Sequence, residues 1–96
     1  MKYNQYISEP LRSIGDMYDY CYKINSFISN HKTYAAYIEP DGYVYIEQIF
    51  HASLSFDKNR VEIMFKLTDN VLNDSALCIF PEDIGNEVHG FFIVYG

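Results

Sequence analysis

Apolar residues recur with the period of a helix between positions 9 and 30, and a polar stripe lies opposite them. This spacing predicts one amphipathic helix with a single buried face. The residues expected on that face are Met17, Cys21, Ile24 and Ile28.

Two residues are possible N-caps for this helix, so its first residue is not decided by the sequence. Ser8 would cap a helix that has Pro10 in its first turn, whereas Ser13 would cap a helix with Asp16 at the third position, as in a capping box. The end is better defined, because Asn30 precedes a change of period. Either start leaves the same apolar face buried.

From Thr33 onward the period changes to two, which predicts β-strands. The segment 40–42 (Pro, Asp, Gly) separates two strand-like runs and predicts a three-residue hairpin loop in which the glycine supplies a positive φ. The loop pairs Tyr37 with Tyr45 and so defines two faces. The face predicted to be exposed carries Tyr37, Glu39, Tyr43, Tyr45 and Glu47, and the apolar face carries Ala36, Ile38, Val44 and Ile46.

The even-numbered apolar pattern continues beyond position 46 to Phe56. It predicts either one long strand or two strands joined at a bend near His51. A second turn over 57–60, which contains Lys58, would pair Phe56 with Val61. The same register sets Leu54 against Ile63 and Ala52 against Phe65.

The last third of the chain predicts two further strands. A polar connection over 68–75 leads to a short strand at 76–80, and an acidic loop at 81–87 precedes a final strand at 88–95. Residues 91–95 are apolar on both faces, as expected for an interior strand or for one that pairs with another subunit.

Together these elements predict the α+β class. We expect one N-terminal amphipathic helix packed on the apolar face of an antiparallel sheet of about five to six strands, arranged as a two-layer meander. The chain of 96 residues is the size of a single domain, spanning 1–96.

Composition narrows the classes of partner. A hydrophobic fraction of 49% with ten Tyr and seven Phe indicates a globular chain. The net charge of −6 opposes direct binding to nucleic acid or to an anionic membrane surface. No apolar run has the length of a membrane helix and positions 1–10 lack an apolar signal core, so we expect a cytoplasmic protein.

The sequence carries no recognisable catalytic motif. His31, His51 and His89 lack partners at metal-ligand spacing, and Cys21 and Cys78 are far apart and are both expected to be buried thiols. A serine beside His51 on the exposed face of its strand lacks the nucleophile elbow and oxyanion loop of a hydrolase. We therefore expect no enzyme activity, no cofactor and no metal.

The negative charge is concentrated near the C-terminus. Up to Lys66 there are eight acidic and seven basic residues, and beyond it there are five acidic residues and no Lys or Arg. In a simple meander the loop at 40–42 and the connection at 68–75 leave the sheet at the same end. Near Lys32, Lys58 and Arg60, by contrast, the acidic residues 82, 83 and 87 should be partly neutralised. The expected partner-binding residues are Tyr37, Glu39, Asp41, Tyr43, Tyr45, Glu47, Asp69 and Asp74.

Tyrosine is enriched at protein interfaces, and acidic residues select basic partners. The leading hypothesis is a non-enzymatic acidic inhibitor that covers a basic, nucleic-acid-binding surface of a target such as a nuclease or another nucleic-acid-binding complex. Small immunity proteins and phage anti-defence inhibitors share this size and charge, although no motif is matched. In a competing interpretation the tyrosine face is covered by the N-terminal arm carrying Tyr3 and Tyr6.

Two other functional classes remain open. One is a homo-oligomeric structural or accessory module in which residues 91–95 pair across a two-fold axis and the tyrosine face is buried by the second subunit. The other is a small enzyme or ligand-binding domain with a pocket near Tyr18, Tyr22 and His51. The expected assembly is a monomer or a homodimer.

Overall fold

The computed structural model describes residues 2–57, 59–85 and 90–96. Within them the chain forms one α-helix and seven β-strands, which confirms the α+β class. The helix is not N-terminal, because a short strand precedes it. The described residues do not include Lys58 of the predicted second turn, Glu87 of the predicted acidic loop, or Val88 and His89 of the predicted final strand. The elements are β1 Asn4–Tyr6, α1 Ile14–Asn30, β2 Thr33–Ile38, β3 Val44–Ile49, β4 His51–Asp57, β5 Arg60–Lys66, β6 Ala76–Ile79, a 3-10 turn Pro81–Asp83 and β7 Phe92–Tyr95.

Of the two possible caps, Ser13 is the one that starts helix α1. The Asp16 backbone N–H donates to Ser13 Oγ at 3.0 Å, and the Arg12 N–H donates to the Asp16 carboxylate at 2.9 Å. The helix therefore begins at Ile14 rather than at position 9, and it ends at Asn30 as predicted. Its predicted apolar face is confirmed, because all four of its residues are buried or packed at the margin of the core, together with Tyr20 and Phe27.

The strands form two antiparallel sheets, with the orders β1-β7-β2-β3 and β4-β5-β6. The prediction of one meandering sheet is therefore wrong. The chain leaves the first sheet at Ile49 and enters the second at His51, so Phe50 alone forms the corner. Such corners let one continuous run of chain belong to two packed sheets.

The registers of both hairpins are those predicted from the sequence. Tyr37 lies opposite Tyr45 in the first hairpin, and Leu54 lies opposite Ile63 in the second. Gly42 has a φ of +92°, as the loop requires. Local turn chemistry and alternation were sufficient to set these pairings.

The phase of the alternation changes at the corner. Ile49 and Ala52 are both buried, although an uninterrupted strand would place residues three apart on opposite faces. The core side of β3 is therefore odd-numbered, whereas the core side of β4 is even-numbered. The predicted continuous even-numbered face is wrong in β3 and right in β4.

One apolar cluster joins the helix to both sheets. Phe65 of β5 stacks on Phe91 with ring centroids 5.7 Å apart, and Phe27 of α1 stacks on Tyr95 of β7 at 4.0 Å. The fully buried members include Ile24, Ile63 and Ile93. Among the strands, β4 has the most extensive contact with the helix.

Helix α1 also covers the free edge of β4. The Asn25 side-chain amide donates to the Ala52 carbonyl oxygen at 2.8 Å, and the Ala52 N–H donates to the Asn25 side-chain oxygen at 2.8 Å. This pair of bonds imitates the pairing of a neighbouring strand and protects an edge that would otherwise be open.

Strand β7 is an interior strand, which confirms one of the two sequence-based interpretations. It pairs with β1 on one side and with β2 on the other. Both of its edges are occupied, so it has no free edge with which to pair across a two-fold axis.

Candidate protein-binding surfaces

We name the residues Tyr37, Glu39, Tyr43, Tyr45 and Glu47 the tyrosine patch. It lies on the same side of the four-stranded sheet as helix α1, contrary to the prediction that the apolar face would meet the helix. On this side Thr33 and Ala35 are at most 1% exposed, and Ile93 is fully buried beside them. Because the side chains at this end of β2 are small, the helix and the second sheet approach it closely. The ladder formed by β2 and β3 is therefore buried at Thr33 and open to solvent at the hairpin loop.

The open end of the ladder exposes a pair of stacked tyrosine rings. Tyr37 and Tyr45 have ring centroids 5.3 Å apart and planes inclined by 14°. Tyr37 packs against the core, while Tyr45 is 43% exposed and Tyr43 is 68% exposed. The pair is therefore held from below and presents its rings to solvent, as in an interface anchor.

Carboxylates surround this pair. Partial burial raises the pKa of the Tyr37 phenol, and the charges of Glu47 and then Glu39 raise it further. Asp41 has a different role, because its side chain accepts a hydrogen bond from the Tyr43 N–H at 3.0 Å and so shapes the loop. None of these residues is basic, so the tyrosine patch presents negative charge.

A small cavity of about 160 Å³ adjoins the patch. Tyr37 and Glu39 line it together with Phe91 and Asp83. Sequence reasoning placed Asp83 at the opposite end of the sheet, near the basic residues. In the structure Asp83 lines this cavity together with Pro40 of the first hairpin loop.

Asp69 and Asp74 are not brought to the tyrosine patch. Their connection begins after Lys66, whose carbonyl oxygen accepts from the Phe50 N–H at 2.8 Å, so it leaves the sheet at the corner. Asp41 lies beyond the other end of β3, five residue steps or about 16 Å along the strand. The predicted acidic rim is therefore divided into two separate regions.

The connection that carries these two aspartates is folded on itself. Asn70 and Asn73 side chains accept hydrogen bonds from backbone N–H groups two residues further along. Between them Val71 and Leu72 are 82% and 90% exposed. This loop presents apolar side chains between two acidic ones.

At the opposite end of β5 the predicted neutralisation is confirmed for one pair of residues. Arg60 forms an ion pair with Glu82, and its guanidinium lies 3.6 Å from the centre of the Phe80 ring. Both charged side chains are more than half exposed, so the ion pair contributes little to stability.

The competing interpretation, in which the N-terminal arm covers the patch, does not hold for Tyr6. That residue packs against Tyr20 and Phe27 on the helix, with centroid distances of 6.0 and 5.5 Å. Strand β1 adds to the far edge of the sheet, beside β7.

The opposite face of the four-stranded sheet, here named the outer face, was expected to be buried. Helix α1 and the second sheet lie on the other side, and Ile38, Val44 and Ile46 are 48%, 56% and 61% exposed. Strand registers place nine side chains on the outer face: Gln5, Tyr34, Ala36, Ile38, Val44, Ile46, Gln48, Phe92 and Val94. None of the nine is charged.

A groove of about 560 Å³ between α1 and β4 brings together Tyr18, Tyr22 and His51, the residues named for a ligand pocket. Part of its polar lining is already hydrogen-bonded within the chain, because the Asn25 side chain bonds to the backbone of Ala52. The groove is open rather than enclosed, and Asp19, His51 and Ser53 line it beside the two tyrosines.

The two cysteines differ from each other. Cys21 lines the groove, and burial raises the pKa of its thiol to about 11, which keeps it protonated and poorly nucleophilic at neutral pH. Cys78 is exposed on β6, so the prediction of a second buried thiol is wrong. Its thiol pKa is raised by partial burial and by the carboxylate of Glu62. Neither thiol has the electropositive setting that activates cysteine.

Among residues 2–57, 59–85 and 90–96, no three His, Cys, Asp or Glu side chains are grouped as metal ligands. No helix in the described part of the chain combines the length and hydropathy needed to cross a membrane. Comparison of this chain with protein-family models, curated proteins and solved structures finds no match.

Proposed function

We propose that this protein is a non-enzymatic protein-binding module, an acidic inhibitor that covers a basic, nucleic-acid-binding surface of its target. The observation that carries the proposal is the stacked pair of Tyr37 and Tyr45, supported from below by the core and flanked by Glu39 and Glu47. Stiff aromatic area at the centre with carboxylates around it is the composition of an interface that selects cationic partners.

The proposal assigns separate roles to the rings and to the charges. The tyrosine rings bury area and account for most of the affinity, because aromatic anchors dominate interface energetics. The carboxylates of Glu39 and Glu47 steer a basic partner toward the patch and raise the association rate. Asp69 and Asp74 lie in the other acidic region and are peripheral to this contact.

The test is affinity capture from a native lysate of the source cell and its natural competitor, with salt-gradient elution and mass spectrometry. A basic protein released at moderate salt is the expected result, because screening weakens charge-steered contacts. Tyr45→Ala should reduce its capture by at least ~30-fold, as for a hot-spot residue, and Glu47→Lys should reduce it by ~10-fold or more, because reversing the charge slows steered association. Near-ultraviolet circular dichroism establishes that both variants remain folded.

Two control variants test whether the loss of capture is specific to the tyrosine patch. Tyr22→Ala removes a ring from the helix that is 80% exposed, against 43% for Tyr45, and Asp74→Lys makes the same change of charge at the other end of β3. Both controls should capture the partner as the unmodified chain does. Undiminished capture by folded Tyr45→Ala and Glu47→Lys would remove the tyrosine patch from consideration.

A further inference from the structure

The outer face has the features of a second, independent interface. We propose that a second copy of this chain covers it, so that the outer faces of two copies stack across a two-fold axis. The tyrosine patch of each copy then points away from the contact and stays open to a partner. This assembly differs from the homo-oligomer predicted from the sequence, which used residues 91–95 as a free edge and buried the tyrosine patch.

The outer face is more apolar than solubility explains. Its centre is Ala36, which is fully buried and lies opposite Ile46 on one neighbouring strand and Phe92 on the other. Around it Ile38, Val44 and Ile46 are between 48% and 61% exposed. A contiguous apolar surface of this kind marks an interaction site.

Charge favours a second copy as the occupant. The chain has a net charge of −6, so two copies repel each other wherever their carboxylates meet. The outer face carries no charge, and a two-fold contact places the same patch on both sides. An uncharged apolar patch is complementary to itself, whereas the tyrosine patch is not. A basic partner, in contrast, finds no carboxylate among the nine side chains that the strand registers place on the outer face.

The size of the face predicts the strength of the contact. Strands of three to six residues, spaced by about 4.8 Å, give roughly 300 Å² of projected area per copy. Side chains standing above the sheet increase the accessible area, but the contact stays at the small end of specific interfaces. We therefore expect a weak dimer, so the measurement has to extend to high protein concentration.

Sedimentation velocity over a wide concentration range tests the proposal. The mass should rise with concentration from that of one chain, 11.3 kDa, toward twice that value. Added salt should strengthen the dimer, because it screens repulsion between acidic copies, whereas it weakens capture of a basic partner. The opposite salt response separates this proposal from the proposed function, so either can fail alone. A chain that stays monomeric throughout the range would overturn the dimer.

Three variants locate the contact. Ile46→Glu and Ile38→Glu each place like charges in the stacked faces and should abolish the rise in mass, while Tyr45→Glu, on the other face of β3, should leave it unchanged. Ile38 lies on the interior strand β2, so loss with Ile46→Glu but retention with Ile38→Glu would indicate edge pairing through β3 and refute face stacking. Circular dichroism checks the fold of each variant. Ile46→Thr replaces any variant that fails to fold and should lower the extent of association.

Discussion

The two long hairpins of this protein have similar patterns of apolar and polar residues but differ in which face is buried. β2–β3 and β4–β5 both alternate apolar and polar residues, and both adopt the register expected from their turns. In β4–β5 the apolar face is buried, with Ile63 and Phe65 fully enclosed. In β2–β3 the apolar face is exposed, and the tyrosine face borders the core.

The difference shows what alternation measures. It determines which residues share a face, but the choice of the buried face depends on where the helix and the other sheet lie. The helix covers β4 and bonds to its edge through Asn25, while β3 pairs only with β2. The apolar side chains of β3 therefore stay exposed and are available for binding.

The largest expected effect is in the buried hairpin. Phe65→Ala should lower the free energy of unfolding by ~3–5 kcal/mol, because it opens a cavity beside Phe91 and the buried isoleucines. Phe56→Ala is the matched control, since Phe56 lies in the same hairpin but is 62% exposed, and it should cost no more than ~1 kcal/mol. Urea denaturation of dilute protein measures both.

The measurement compares the loss in free energy of unfolding between these two variants. Equal losses from Phe65→Ala and Phe56→Ala would contradict the placement of the core in the second hairpin.

An intermediate effect is expected at the protected edge of β4. Asn25→Ala removes two hydrogen bonds to the backbone of Ala52 and leaves the N–H and carbonyl groups of that buried residue without these partners, which should cost ~1–3 kcal/mol. Asn30→Ala, at an exposed position of the same helix, removes only a local bond to Ser26 and should cost less than ~1 kcal/mol. Denaturation midpoints give both values. A neutral Asn25→Ala would show that the helix does not stabilise this edge.

The smallest expected effect is in the exposed hairpin. Ile46→Thr keeps a β-branched residue in β3 and should change the stability of the dilute monomer by no more than ~0.5 kcal/mol, because Ile46 is largely solvated. The same urea titration tests it. A loss comparable to that of Phe65→Ala would mean that the outer face is covered within a single chain.

Local features were predictable wherever a few neighbouring residues decide the conformation. The register around Gly42, the end of the helix at Asn30 and the pairing of Leu54 with Ile63 follow from turn chemistry and periodicity. The helix start needed the hydrogen bonds of Ser13 to settle it. For the candidate site, the sequence identified the tyrosines and glutamates that share a ladder but not the approach of Asp83.

By itself the sequence determined the helix, the hairpins, the α+β class and an acidic, aromatic-rich chain, because periodicity, turn residues and charge are local properties. Only the tertiary structure decided the division into two sheets, the interior position of β7 and the exposed state of the outer face. The physical reason lies at Phe50, where one corner residue shifts the alternation by one position and so reverses which side of β3 faces the core. No local pattern distinguishes that corner from a continuing strand, since its cost and benefit depend on contacts with residues far along the chain.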